Sequence, residues 1–185
     1  MTDPRTAPRL GTLERTADGG VLRFHRHLAF PVAEVWSALT DPARLADWWL
    51  PFDADVTVDL RVGGEMRYAA REDDFVLRCT VLRLEPPTLL EHTHGDSGST
   101  VLWRLAEVDG GCDLRVEHHV RDVDEAVRGC WAVGLHTSLE RLAPLLAGRP
   151  VPWDWAAFAA SQGDYAATGL APAVPVAPEV VEVPS

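Results

Sequence analysis

From Val56 to Val120 apolar and polar residues alternate in short runs, and each run ends within a few residues at a turn rich in glycine, proline or aspartate. A period of two sends successive side chains to opposite faces of a strand, and turns this short join strands as antiparallel neighbours. Val56, Val58 and Leu60 lead through Gly63-Gly64 into Met66 and Tyr68; Phe75 to Leu84 predicts a long strand ended by Pro86-Pro87. Leu89 to His94 resumes, Gly95 to Gly98 turns into Val101, Trp103 and Leu105, and Gly110-Gly111 turns into Cys112, Leu114, Val116 and His118. Such a chain must form an antiparallel meander with one apolar face, and that face needs a cover.

The cover comes next. Val127, Trp131, Leu135, Leu139 and Leu142 form one apolar stripe at helical spacing, predicting a single long helix over about 124–147 that Asp122 or Asp124 can cap. Pro144 should kink or fray its last turn before Gly148 ends it. Ahead of the meander, Thr12–Thr16 and Val21–Leu28 flank Asp18-Gly19-Gly20, a hairpin turn. Pro31 then opens a short helix carrying Val32, Val35, Trp36 and Leu39, and Asp41-Pro42 opens a second carrying Leu45, Trp48 and Trp49.

The chain has 185 residues, which favours one core, and 46% of them are hydrophobic, enough to fill it. Residues 1–10 read as a flexible leader, 11–148 as the domain, 149–170 as an extension packing back on it, and 171–185 as a disordered Pro-rich tail. A formal charge of −11, with no basic patch, disfavours nucleic acid and anionic lipid. No apolar run is long enough for membrane insertion, no secretory signal is seen, and three cysteines without a CxxC pair suit a reducing cytoplasm.

The strings FPVAEVWSALTDPARLADWW (Phe30 to Trp49), DLRVGGEMR (Asp59 to Arg67), VLRLEPPTLLEH (Val81 to His92) and GLHTSLERLAPLLAG (Gly134 to Gly148) resemble the bacterial heat-shock-protein-90 ATPase activator homologues. These form a branch of the START-like (SRPBCC) helix-grip superfamily, which also holds lipid-transfer domains and polyketide cyclases. The resemblance implies an α+β helix-grip fold: a curved antiparallel sheet of about seven strands wrapped around a long C-terminal helix, with two short helices between the first two core strands. Leu135 stands where that branch often has Trp.

A sheet wrapped on one helix leaves interior space for large side chains or a ligand. Strand parity sends Met66, Tyr68, Leu77, Cys79, His92, His94, Trp103 and His118 inward, opposite Trp131 and Leu135, with Trp48, Trp49 and Phe52 near the mouth. These residues are the candidate ligand-binding set; packing alone would also account for large aromatics at core spacing. His92, His94 and His118 could hold a polar ligand head, move protons or bind a metal, but two histidines at i and i+2 make a poor zinc signal and no metal is assigned.

His136 reads as a solvated partner of Glu140, and Asp113, Arg115, Glu117 and His119 as an exposed charged face. Arg26 falls on the inward parity and calls for a carboxylate such as Asp59 or Glu65, or else an anionic ligand. The chain shows no GxSxG elbow, phosphate loop or thiol motif, and no catalytic residue or cofactor is assigned. The expected function is binding of a small apolar or aromatic molecule. A cyclase- or lyase-type enzyme using a pocket histidine and a chaperone partner are alternatives, the last disfavoured; a homodimer stays open.

Overall fold

The computed structural model describes residues 9–173, so residues 1–8 of the expected leader and 174–185 of the expected tail lie outside the described residues. The strands are β1 Thr12–Thr16, β2 Gly19–Leu28, β3 Ala54–Val58, β4 Glu65–Ala70, β5 Val76–Glu85, β6 Leu89–Thr93, β7 Thr100–Val108 and β8 Gly111–Val120. The helices are α1 Val32–Thr40, α2 Pro42–Trp48, α3 Val123–Arg128, α4 Trp131–Leu146 and α5 Trp155–Ala167.

All pairings are antiparallel, in the order β1-β2-β8-β7-β6-β5-β4-β3. The sheet therefore has eight strands where about seven were expected, because the first hairpin arm, β1, stays in the sheet as an edge strand. Consecutive strands pair as a meander from β3 to β8, and β2 closes onto β8 with Leu22 opposite His118 and Phe24 opposite Val116. A register shift between Val81 and Arg83 in β5 helps bend the sheet, since a bulge increases local twist.

The short helices form where the sequence places them. The Asp41 carboxylate accepts from the Ala43 N–H at 2.9 Å, and Pro42 occupies the first turn of α2, where its missing donor costs nothing. The long helix is not continuous. α3 is capped by Asp122 and stops at Gly129, Cys130 takes a left-handed conformation at φ 53°, and α4 begins at Trp131. A Cβ on Gly129 would lie 2.7 Å from the Trp131 indole nitrogen, so the break needs glycine there to let the tryptophan fold back over it. α4 runs through Pro144 to Leu146 and is closed by Gly148 at φ 70°, with the Arg149 N–H donating to Pro144 O at 2.9 Å.

α4 lies in the concave face of the sheet, burying Leu135, Leu139 and Leu142 against Phe24, Val116 and Trp103 in one core. α5 packs on α4 through its second half, where Gln162 and Tyr165 are buried, while most of its first half is exposed. Packing continues past residue 170: Ala171 is buried and the Gln162 side-chain amide donates to Pro172 O at 3.3 Å. Among the described residues no helix is long and apolar enough to cross a membrane.

Gly163 sits inside α5, and a methyl group added there would have nothing within 4 Å of it. Gly163→Ala should therefore raise stability by about 1 kcal/mol through helix propensity alone, read as a higher urea midpoint with an unchanged slope.

Candidate functional site

A cavity of about 470 Å³ lies between the sheet, α4, the Leu50–Phe52 loop after α2, and the segment leading into α5. This is within the size range of small-molecule sites. Of the residues expected from sequence, Trp49, Phe52, Leu77, His94, His118, Trp131 and Leu135 line it. Trp48, Met66, Tyr68, Cys79, His92 and Trp103 do face inward, but lie behind the wall as closed core. Trp48 is held there by its indole N–H, which donates to Ala38 O at 2.9 Å.

His92 shows why parity alone misassigns a role. The Trp103 indole can only donate, and it donates to His92 Nε2 at 3.0 Å; His92 Nδ1–H therefore donates to Thr93 O at 2.8 Å. Both nitrogens are committed, so His92 is a structural residue rather than a polar tip for a ligand. Burial pushes its pKa down to about 4.

His94 and His118 differ. They form one aromatic stack with Trp131: His118 lies parallel to the indole at 5.2 Å, and His94 meets both rings edge-on at 4.7 Å. His118 Nε2 and His94 Nδ1 are buried without a hydrogen-bond partner among the described residues. Burial lowers the pKa of both, and for His118 the neighbouring His94, His92 and His119 lower it further, so both rings are neutral near pH 7. The second wall is Trp49, edge-on to Trp48 at 5.5 Å and to Trp103 at 5.3 Å.

The residues that sequence reasoning missed as site members are Trp153, Trp155 and Phe158, which close the cavity from the segment after α4. Their ring centroids lie 5.5–5.9 Å apart as one cluster. The available signal was three aromatic residues within six positions, two of them in the first turn of an Ala-rich, weakly patterned helix. Phe75, edge-on to Phe52 at 5.5 Å, completes the rim.

Arg141 positions this mouth. Its guanidinium donates to Asp47 O, Trp48 O and Leu50 O at 2.8–2.9 Å and to Val151 O at 3.0 Å, and it lies 5.7 Å from the centre of the Trp153 ring. The α2 terminus, the mouth loop and the segment into α5 are thus tied to one side chain on α4.

Three further expectations need correction. Arg26 pairs with neither Asp59 nor Glu65; its Nη2 donates to Glu140 at 3.2 Å and approaches His136 Nδ1 at 3.4 Å. His136 is buried, not solvated: its Nδ1 lies 3.2 Å from the Tyr165 hydroxyl, which also accepts from the Gly11 N–H at 2.7 Å. Burial and the adjacent Arg26 lower the His136 pKa to about 4. Asp113, expected in an exposed face, is buried beneath His25 and Arg115, to both of which it bonds. Burial raises the Cys79, Cys112 and Cys130 pKa values, keeping them as thiols near neutral pH. Among the described residues no group of three or more His, Cys, Asp or Glu is placed to hold a metal ion.

A curved antiparallel sheet gripping a C-terminal helix, with two short helices inserted after its first hairpin, defines a helix-grip protein. Residues 29–147 match the model of the family "Activator of Hsp90 ATPase homolog 1-like protein", and the chain belongs to that family. The match ends at α4, so α5 and its aromatic cluster fall outside it.

The chain is similar in structure to CalU16 from Micromonospora echinospora, with 28% identity, a TM-score of 0.62 and coverage of 86% of this chain and 95% of that one. Protein NE0264 from Nitrosomonas europaea matches at 25% identity and a TM-score of 0.60, over 69% of this chain and 94% of its own. A conserved protein of unknown function from Enterococcus faecalis, EF2215, shares the fold at 15% identity and a TM-score of 0.70, over 90% and 95% of the two chains. No curated protein matches significantly.

The buried histidines set a pH dependence. His92 has a folded pKa of about 4, below the unfolded value of 6.5, so the unfolded chain binds the extra proton first and stability is lost as pH falls through that window. His92 alone should remove about 3 kcal/mol between pH 7 and pH 4, and His94 and His118 shift in the same direction. Urea titrations across that range should show the fall, and His118→Phe, which preserves the stack on Trp131, should make it shallower while the His92 share remains.

Proposed function

We propose that the protein binds a small, flat, predominantly apolar molecule in the cavity between sheet and α4. The observation that carries this reading is an unfilled volume of about 470 Å³ walled by the rings of Trp49, Trp131, Trp153, His94 and His118. The space is a cleft partly open to solvent, and a cleft of this size between aromatic faces is suited to a ring-shaped guest. The Leu in place of Trp at position 135, on the cavity wall, leaves room that the larger side chain would take up. Family membership is compatible with a ligand-binding or an activator role.

Gly134 also lines the cavity, and a Cβ there meets nothing within 4 Å. Gly134→Phe should therefore fill the space and weaken binding of the fluorescent probe 1-aminoanthracene at least about tenfold, whereas Gly134→Ala should retain it. Undiminished binding by folded Gly134→Phe would sink the cavity reading. A proton-transfer enzyme is a second reading, favoured by the neutral, unpartnered His118 Nε2. Chromatography and NMR of the compound released on denaturation separate the two: a proton shift gives an isomer of equal mass, so if the chain turns its guest over, the compound retained by His118→Phe will differ in retention time and spectrum from that retained by the parent protein, and identical compounds favour binding alone.

A further inference from the structure

The chain from Ala147 to Ala160 touches the rest of the molecule through few groups. Every residue in it is exposed except Trp153 and Phe158, which are half-buried, and both of these line the cavity. Trp155 lines it too while remaining 48% exposed. The surface this segment buries is thus concentrated at the mouth. Firm attachment begins on either side of it: Leu145 is buried in α4, and Gln162 and Tyr165 are buried in α5, where the Tyr165 hydroxyl accepts from the Gly11 N–H at 2.7 Å.

Between these anchors Arg141 holds the segment, and its bonds are unevenly shared. Three of its carbonyl partners, Asp47 O, Trp48 O and Leu50 O, belong to the end of α2 and the loop after it, and one, Val151 O, belongs to the segment. Trp153 adds a ring-face contact at 5.7 Å. Parting the two walls at Arg141 therefore costs one hydrogen bond if the segment leaves and three if the α2 side leaves, so the segment is the part that moves. Its own bonding goes with it. The Asp154 carboxylate accepts from the Ala156 and Ala157 N–H groups at 2.8 and 3.3 Å, and the Phe158 N–H donates to Asp154 O at 3.0 Å, so the first turn of α5 is capped from within. There is also room for movement: a second cleft of about 550 Å³ borders Val151 through Ala157 and shares only Trp153 and Trp155 with the cavity.

Resting on the cavity reading above, we propose that residues 147–160 form a strap that opens to admit the guest and closes over it, with Arg141 as its clasp. In the closed state Trp153, Trp155 and Phe158 lie against the guest, contacts that the open state lacks, and a guest favours closure by that difference. The family match ends at residue 147, so the gate belongs to the extension that this chain adds.

Pro150→Gly with Pro152→Gly tests the strap without touching the cavity, since both prolines are exposed and neither lines it. Each proline restricts the backbone, and glycine widens the range of open conformations. Stopped-flow binding of 1-aminoanthracene to the full chain should show association and dissociation both about fivefold faster in the double variant, with Kd changed less than about twofold. In the parent protein the amides of residues 157–160 should exchange at least about tenfold faster than those of 162–167, and bound probe should remove that difference. Unchanged rates, a rise in only one of the two, or an exchange difference that bound probe leaves in place overturns the strap and leaves the cavity reading standing. Failure of the parent protein to bind 1-aminoanthracene overturns the cavity reading itself, and this proposal with it.

Discussion

The Arg141 guanidinium is the point on which the mouth of the cavity depends. A buried guanidinium without a carboxylate must satisfy its donors elsewhere, and here main-chain carbonyls do so. Three of those carbonyls belong to the end of α2 and the loop after it, where helix carbonyls have no intrahelical partner and carry partial negative charge. The cation therefore answers a need of α2 as much as its own. The fourth carbonyl, on Val151, ties in the segment that brings Trp153 over the cavity. One side chain on α4 thus sets the relative position of two walls that are far apart in sequence.

Desolvation is the second constraint. The same apolar surroundings that make the cavity suitable for an aromatic guest hold His92, His94 and His118 in their neutral forms. His92 is fully used, between Trp103 and its neighbour's carbonyl, and braces the wall from behind. His94 stands edge-on to His118 and Trp131, while His118 stacks parallel on the indole, so aromatic rings surround their unpartnered nitrogens. Another face of α4 carries a separate polar cluster, in which Tyr165, His136, Arg26 and Glu140 join α5, α4 and β2. That cluster anchors the C-terminal half of α5 and leaves its aromatic N-terminal end as the free margin of the site.

Much of the architecture was legible in the chain because it is written in local periodicity. Alternation from Val56 to Val120 defined the meander, Asp41-Pro42 and Asp122 marked helix starts, and strand parity correctly separated Met66, Tyr68, Cys79, Trp103 and His118 from the outward face. Parity is set by backbone geometry, so it survives folding. The break at Cys130 was not legible, since the apolar stripe of α3 and α4 keeps one helical spacing across it; only the fold of Trp131 back over Gly129 reveals it.

What the sequence by itself determined was which residues point inward; what the tertiary structure decided was which of them border empty space. Met66 and Leu77 share one face of the sheet, yet only Leu77 reaches the cavity, because depth depends on what packs above each side chain. The partners of Arg26 and His136 were hidden for the same reason. Glu140 and Tyr165 reach them from α4 and α5, and the pairing distance spans 114 residues for Arg26 and Glu140. Periodicity encodes the direction of a side chain within its own element, but a site is formed by the meeting of elements, and that meeting is fixed only when the whole core is packed.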